Sequence, residues 1–384
     1  MKKLLLSTAV AGLAFTAVPA HADIDLEIGG FFMGYGAYVD QDETTGNVDE
    51  FDFAKNTELQ FTGETTLDNG LTVGAHMEFN MDGSDETTSI EESYAYFSGS
   101  WGRVNFGEED GAAYLLQVAA PSADSNVDGL RQYISGLNEK VLVNNGALPN
   151  GIANQSLTLD YDQNPTSYRT KLTYLSPVVA GFQAGVSIVP DANNDATETG
   201  GVDADGEQDA FGDAYEVAVR YEGEYEGVGI TAGAGYSLVD FENNTSAPAT
   251  GLATDEREVY NVGLDLDFGP FGAGVAYVQD DNGKESQNAT ATNTSDDEEV
   301  VVVGVDYTTG PFKLGASYYD ADNLDGVEGL EAQRYTGGVV YTYGPGMTLR
   351  GSVNYIEYEL NNIGGANNND VDATQFLIGT KVKF

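Results

Sequence analysis

From residue 23 onward, apolar and aromatic residues alternate with small or polar ones, a period of two that marks strands rather than helices. Between Leu71 and Met81, one face carries Leu71, Val73, Ala75, Met77, Phe79 and Met81; the other carries Thr72, Gly74, His76, Glu78 and Asn80. The same alternation sets Tyr215, Val217, Val219 and Tyr221 against Ala214, Glu216, Ala218 and Arg220. It sets Tyr335, Gly337, Val339, Tyr341 and Tyr343 against Arg334, Thr336, Gly338, Val340 and Thr342. The pattern predicts sixteen strands. Eight lie over 23–40, 51–66, 71–82, 89–98, 102–109, 166–176, 181–190 and 212–223. The other eight lie over 227–240, 256–268, 271–280, 298–308, 311–320, 332–343, 346–359 and 372–384.

Short and long connections alternate along this series. Asp68-Asn69-Gly70, Gly99-Ser100-Trp101, Gly269-Pro270, Gly310-Pro311 and Gly344-Pro345 are tight turns of residues that tolerate turn backbones. Between them fall longer acidic segments. Residues 191–211 carry seven carboxylates and no basic residue, and 281–297 are rich in Asn, Thr and Asp. Short turns at one end and long loops at the other, with an even number of strands of about 10 residues, are the build of an outer-membrane β-barrel. A water-soluble sandwich would alternate too, but over seven to nine strands, with its polar face outward. Here an aliphatic and aromatic face opposes one of Gly, Ser, Thr, Arg and Glu, so the expected fold is all-β, a closed antiparallel transmembrane barrel with a polar lumen. Closure is required because an unpaired backbone group in hydrocarbon costs several kcal/mol. Tyr94, Tyr96, Tyr221, Tyr260, Tyr341, Tyr343 and Phe384 are expected in the interfacial girdles, where an aromatic ring sits at the lipid boundary.

Composition adds the route and the charge. Lys2 and Lys3 precede an apolar stretch from Leu4 to Val18 and an Ala20-His21-Ala22 cleavage pattern, so residues 1–22 read as a signal peptide and 23–384 as the barrel domain. The apolar stretch is shorter than the roughly 20 residues of a spanning helix. There are no cysteines and so no disulfide framework. Net charge is −46; without Lys2 and Lys3, 14 basic residues face 62 acidic ones, giving −48. Such a chain repels nucleic acid. Its 23 Tyr, 17 Phe and 48 Gly argue against a disordered acidic coil.

Several segments resemble Gram-negative trimeric porins of the alphaproteobacterial, Rhodobacter-like kind, across essentially all of 23–384. They are Phe61-Thr62-Gly63 with Leu67-Asp68-Asn69-Gly70-Leu71, then Ser98-Gly99-Ser100-Trp101-Gly102-Arg103-Val104 with Phe106-Gly107-Glu108, and the ending Ile378-Gly379-Thr380-Lys381-Val382-Lys383-Phe384. The resemblance implies a homotrimer in the outer membrane, in contact with lipid and lipopolysaccharide, passing ions and small hydrophilic solutes. It also implies a third loop folded into the lumen as a constriction, here 110–165 and longer than expected, and a terminal Phe384 read by the barrel-assembly machinery.

A pore with a transverse field needs cations on one wall and carboxylates on the other. With the aromatic face outward, Arg103, Arg169, Lys171, Arg220, Lys313, Arg334 and Arg350 all fall inward, where chance would place about half. Exclusion of charge from lipid, worth roughly 2–4 kcal/mol at mid-membrane, explains that bias without any function. Arg169 and Lys171 side by side are the functional candidates, opposite Glu108, Glu109, Asp110, Asp124 and Asp128 on the third loop. The acidic excess points to cation preference. No cofactor is expected, although acidic loops can bind divalent cations such as Ca2+ loosely; Asp203-Ala204-Asp205-Gly206 lacks EF-hand spacing.

Enzymatic chemistry has little to work with. The mature chain keeps one histidine, His76, which reads first as an ordinary lumen residue, and no Cys or His cluster can hold zinc. Gly227-x-Gly229 followed by Gly233 misses the dinucleotide pattern and reads as packing glycine in a strand. Asn-x-Thr or Ser matches at 243, 244, 288 and 293 are products of Asn-rich loops. Two alternatives stay open: a substrate-specific channel, and a structural or adhesive barrel with a plugged lumen. The second needs a periplasmic domain or bulky inward side chains, whereas the inward face reads as mostly Gly, Ser, Thr and charges.

Overall fold

A computed structural model of the chain describes residues 24–43, 46–82, 89–124, 129–138, 159–192, 211–241, 252–254, 256–286, 296–361 and 370–384. The expected leader, Asp128, the Asp203 to Gly206 run, the four Asn-x-Thr or Ser matches and most of the 191–211 loop lie outside the described residues.

Sixteen antiparallel strands close into one barrel. They are β1 (Asp25–Gln41), β2 (Phe51–Thr66), β3 (Thr72–Asn80), β4 (Ser89–Gly99), β5 (Gly102–Glu108), β6 (Thr170–Leu175), β7 (Phe182–Val189) and β8 (Phe211–Tyr225). The series continues with β9 (Val228–Phe241), β10 (Arg257–Phe268), β11 (Phe271–Asp280), β12 (Glu298–Thr309), β13 (Phe312–Asp322), β14 (Leu330–Gly344), β15 (Met347–Leu360) and β16 (Val371–Lys383). Each pairs with its sequence neighbours, and β1 also pairs with β16, from Phe31 opposite Lys383 to Gln41 opposite Ala373. Phe384 completes the seam by exchanging backbone hydrogen bonds of 3.1 Å with Gly30. Every ladder therefore has a partner, as a sheet in hydrocarbon requires. A second, two-stranded ribbon joins Leu252–Thr254 to Lys284–Ser286 among the long connections.

The period-two pattern maps onto the two faces. Val217 and Val303, half exposed on the outside, flank inward residues such as Glu216 and Gly304. At the short-turn end, outward aromatics pair across strands: Phe182 with Tyr221 (4.7 Å between centroids), Phe271 with Tyr307 (4.9 Å) and Phe312 with Tyr341 (4.9 Å). Toward the long-loop end lie Tyr260 with Tyr277 (6.2 Å) and Tyr318 with Tyr335 (4.8 Å). Eight residues separate Tyr260 from Phe268, which at ~3.4 Å each and a tilt near 40° is about 21 Å, close to the ~25 Å apolar band of such barrels. Tyr94 and Tyr96 do not join these belts. Both are buried on the inner face of β4, where Tyr96 Oη donates to Glu64 (2.6 Å).

Tight turns set the hairpin register. Glu226 and Gly227 connect β8 to β9 with φ of +51° and +84°, the two-residue turn whose twist suits a hairpin. Gly227 thus serves a turn rather than strand packing. β6 begins at Thr170 and not at 166, because the chain turns over 165–168. Ser167 N–H donates to Asn164 and Arg169 N–H to Thr166, both at 3.1 Å.

Candidate functional site: the lumen and its inner segment

Among the described residues of the long connection between β5 and β6, those from Leu116 to Asp124 lie against the inside of the wall. A run of inward glycines makes room for them. A Cβ on Gly263 would overlap the carbonyl of Val118, one on Gly304 that of Pro121, and one on Gly338 that of Ala123. A Cβ on Gly233 would press on a methyl of Val118 and the carbonyl of Leu116, and one on Gly315 on the backbone nitrogen and Cβ of Ala123. Without side chains at these positions, the peptide backbone of 116–123 lies flush against β9 to β14, a close approach that any larger residue prevents.

Polar side chains fix both arms of the segment. A four-residue helix, α1 (Ala112–Leu115), is held at its start as Ala112 N–H donates to Ser187 Oγ (2.8 Å) and Ala113 N–H to Glu216 Oε2 (3.0 Å). Glu216 also accepts from Thr166 Oγ1 (2.9 Å), on the returning arm. Gln117 Nε2 donates to the carbonyl of Tyr161, and Gln163 N–H donates back to Gln117 Oε1, each at 2.8 Å. Gln163 then reaches the wall through Ser237 Oγ and the Val259 carbonyl, both 2.8 Å. Arg131 pairs with Asp162 (2.8 Å) and Asp110 (3.4 Å) and lies 4.4 Å over the Tyr114 ring. At the far side, Tyr35 Oη donates to Asp124 (2.5 Å), and Gly136 N–H donates to Gln375 Oε1 (2.8 Å).

Between this segment and the wall lies an apolar core. Leu130, Leu159 and Tyr161 pack with inward Val259, Val300, Val302, Tyr319, Ile356 and Tyr358. The inner face of these strands is thus bulkier and more apolar than Gly, Ser, Thr and charge. The covering segment keeps it from water, which a single strand's alternation does not reveal. Beside it, Asp160, Asp162, Asn164, Arg257, Asp280 and Glu298 line a polar cavity of about 230 Å3.

The basic residues are engaged in several ways. Lys171 is buried under the segment and donates to the carbonyls of Glu109 and Ser167. Arg220 donates to the Gln117 carbonyl (3.0 Å) and Arg334 to Gln132 Oε1 (2.8 Å). Arg169, off the strand, donates to the Ala192 carbonyl (3.2 Å), so it does not share a strand face with Lys171. Arg103 lies 4.0 Å over Tyr96 and donates to Asn105 (2.6 Å). Lys313 pairs with Asp306 (2.9 Å), and Arg350 donates to Thr348 (3.0 Å).

Among the acidic candidates, Glu108 ends β5 and Glu109 follows it, both carboxylate oxygens of Glu109 accepting from Asn105 (2.7 and 2.5 Å). Asp110 accepts from Asn164 (2.7 Å). Burial pushes the Glu109 carboxyl up to about 7 against the opposing hydrogen bond from Asn105. It raises Asp110 against the pull of Arg131 and Lys171. Burial likewise lifts Asp124 to about 6, opposed by the Tyr35 hydroxyl, and Asp160 to about 7, opposed by the Gln132 amide.

The inner wall of β2 to β4 carries a further acidic group outside the expected basic wall and acidic loop. Gln60 Nε2 donates to Glu58 (2.5 Å) and Glu78 (2.9 Å), His76 Nε2 stands 2.8 Å from Glu78, and Glu92 sits opposite Glu78 in the ladder. Alternation already placed His76 and Glu78 on one face; their union with Glu58 and Glu92 came from strand register.

A family model described as Gram-negative porin matches residues 8–379. The chain belongs to the Gram-negative porin family. In overall fold this porin is similar to the anion-selective porin from Comamonas acidovorans (16% identity, 94% of this chain and 100% of that one, TM-score 0.58). It is also similar to Salmonella typhi OmpF, solved in complex with daunomycin (19%, 94% and 97%, TM-score 0.60), and to a mutant of the Rh. blastica porin (16%, 94% and 100%, TM-score 0.56). Curated relatives from Rickettsia felis (27% identical over 217 residues) and Rickettsia conorii (28% over 217) are described as uncharacterized. The match covers 50% of this chain, which spans about half the length of those relatives.

Proposed function

We propose that this porin is a general diffusion pore of the outer membrane, passing ions and small hydrophilic solutes with a preference for cations. The observation that carries the preference is the different engagement of the two signs of charge. Lys171, Arg220 and Arg334 hold the inner segment, while Glu58, Glu78 and Glu92 stand together on the inner wall of β2 to β4, with Glu64 farther along β2. Arg103, Lys313 and Arg350 remain on the wall with polar or acidic neighbours, so the field stays negative in sum. The Comamonas porin shares the fold and is anion-selective, so the lining charges rather than the barrel set the sign.

Constriction by the loop 110–165, cleavage of residues 1–22, homotrimer assembly with lipopolysaccharide contact, and recognition of Phe384 by the assembly machinery belong to the same reading. No catalytic role is assigned to any residue, and acidic loops bind calcium no more than loosely. Reversal potentials of single channels in a planar bilayer under a KCl gradient test the preference. A potential of cation sign, with closures in three equal steps, is expected. A potential of anion sign overturns it.

A further inference from the structure

We propose that His76, Glu78 and Glu92 form a divalent-metal site on the inner wall of β3 and β4, favouring borderline ions such as Zn2+ over Ca2+ and Mg2+. One ligand atom from each residue lies within 4.8 Å of the others. Ligands at about 2.0–2.2 Å from zinc stand roughly 3.5 Å apart, so a rotation of the Glu92 side chain closes the set and leaves a position for water. One imidazole nitrogen with two carboxylate oxygens suits zinc, whereas calcium takes six to eight oxygens.

Three further observations separate this group from an ordinary acidic patch. First, the imidazole is oriented from behind: Thr62 Oγ1 lies 2.7 Å from His76 Nδ1. With Nδ1 donating to that hydroxyl, Nε2 turns a lone pair toward the carboxylates, the outer-shell arrangement typical of metal-bound histidine. Second, Gln60 donates to Glu78 (2.9 Å), which fixes one carboxylate. Third, Glu78 and Glu92 face each other directly across the β3–β4 ladder. Like charges in that position repel, and the closed barrel forbids the strands from sliding apart. Glu92 has no hydrogen-bond or ion-pair partner among the described residues, and Glu109 and Asp110 repel it further. A divalent ion supplies the missing countercharge. This assignment goes beyond diffusion and does not depend on ion preference, because binding and conduction are measured separately.

The chain has two histidines, His21 in the expected leader and His76, so untagged protein lacking the leader has one imidazole to report. Titration of ZnCl2 into the folded barrel in detergent is expected to show one site per chain. Affinity should fall at least tenfold in His76→Gln and in Glu92→Gln, and stay unchanged in Glu258→Gln on the long-loop end of β10. Ca2+ should bind at least tenfold more weakly. In the wild-type protein, zinc should also protect His76 from diethyl pyrocarbonate, a readout that needs no variant to fold. Absence of zinc binding, equal affinity in His76→Gln, calcium binding as tight as zinc, or no protection of His76 overturns the site.

Discussion

Gly337 and Gly338 adjoin in β14, yet only the second is under pressure from its surroundings. A Cβ on Gly337 would meet nothing nearer than a methyl of Val353 at 3.8 Å, whereas one on Gly338 would strike the carbonyl of Ala123. Gly338→Ala should therefore destabilise the barrel by about 1–3 kcal/mol, the usual cost of forcing extra volume into a packed site. Gly337→Ala should leave stability unchanged or slightly raised, since alanine restricts the unfolded chain. Thermal unfolding in detergent, followed by the mobility shift of the heated barrel, compares the two. Equal midpoints for both variants would mean that the segment does not press on the wall. The same contrast explains the glycine content. It is high because one face of several strands must accept another backbone, and two neighbours of identical type carry different loads according to which face they occupy.

At the scale of the element, the inner segment has little regular structure of its own, with one four-residue helix among its described residues. Its position rests on side chains that cross from arm to arm and from arm to wall. Arg131 is the most connected of them, bridging Asp110 and Asp162 while stacking on Tyr114. Its guanidinium and both carboxylates are largely buried. Arg131→Met keeps much of the apolar stem but leaves two carboxylates without their cation. Loss of one partner from a buried pair costs about 3–5 kcal/mol; partial exposure puts this case at the lower end. The expected result is a barrel that still assembles, because the strand ladders are untouched, but whose single-channel current becomes noisier and larger as the segment loosens. Unchanged conductance and noise in Arg131→Met would show that the Gln117–Gln163 bridge and the glycine contacts suffice.

For the whole molecule, net charge and pore charge are linked through pH. Burial raises the carboxyls of Glu109 and Asp160 to about 7 and that of Asp124 to about 6. These groups bind a proton more tightly in the folded barrel than in the unfolded chain. The stability they contribute is fully present below the ordinary carboxylate values near 4 and is lost as pH rises through 6 to 7. Charge in the lumen runs the other way: the segment is most negative above pH 7 and becomes neutral at these positions as pH falls. The proposed cation preference should therefore weaken between pH 8 and pH 5, with the steepest change near 6 to 7, while the inner segment holds more firmly at the acid end. Reversal potentials across that range measure the effect, and Glu109→Gln should flatten its upper part. A wild-type selectivity independent of pH down to 5 would rule out titration of the segment in the ion path.

The strands, their number and their two faces were legible in the sequence, because side-chain direction in a strand has a period of two and lipid penalises every polar residue on one side of it. The tight turns were legible for a related reason: Gly-Pro and Asn-Gly pairs carry their conformational preference locally. Which tyrosines face lipid was only partly so. Alternation within β4 allows either face, and the inward placement of Tyr94 and Tyr96 follows from pairing with β5, where Tyr96 stands opposite inward Asn105. The roles of Lys171, Arg220 and Arg334 also waited for the tertiary structure, since their partners lie in a segment that has no period to read. The same holds for His76, Glu78 and Glu92, which meet through the register of two strands. Sequence by itself determined a closed, acidic barrel with one face of its strands toward lipid, because those properties follow from local periodicity and summed charge. The path of the inner segment, the apolar core behind it and the engagement of each cation were decided only by closure of the barrel, which brings residues more than 200 positions apart, such as Gly136 and Gln375, within hydrogen-bonding distance.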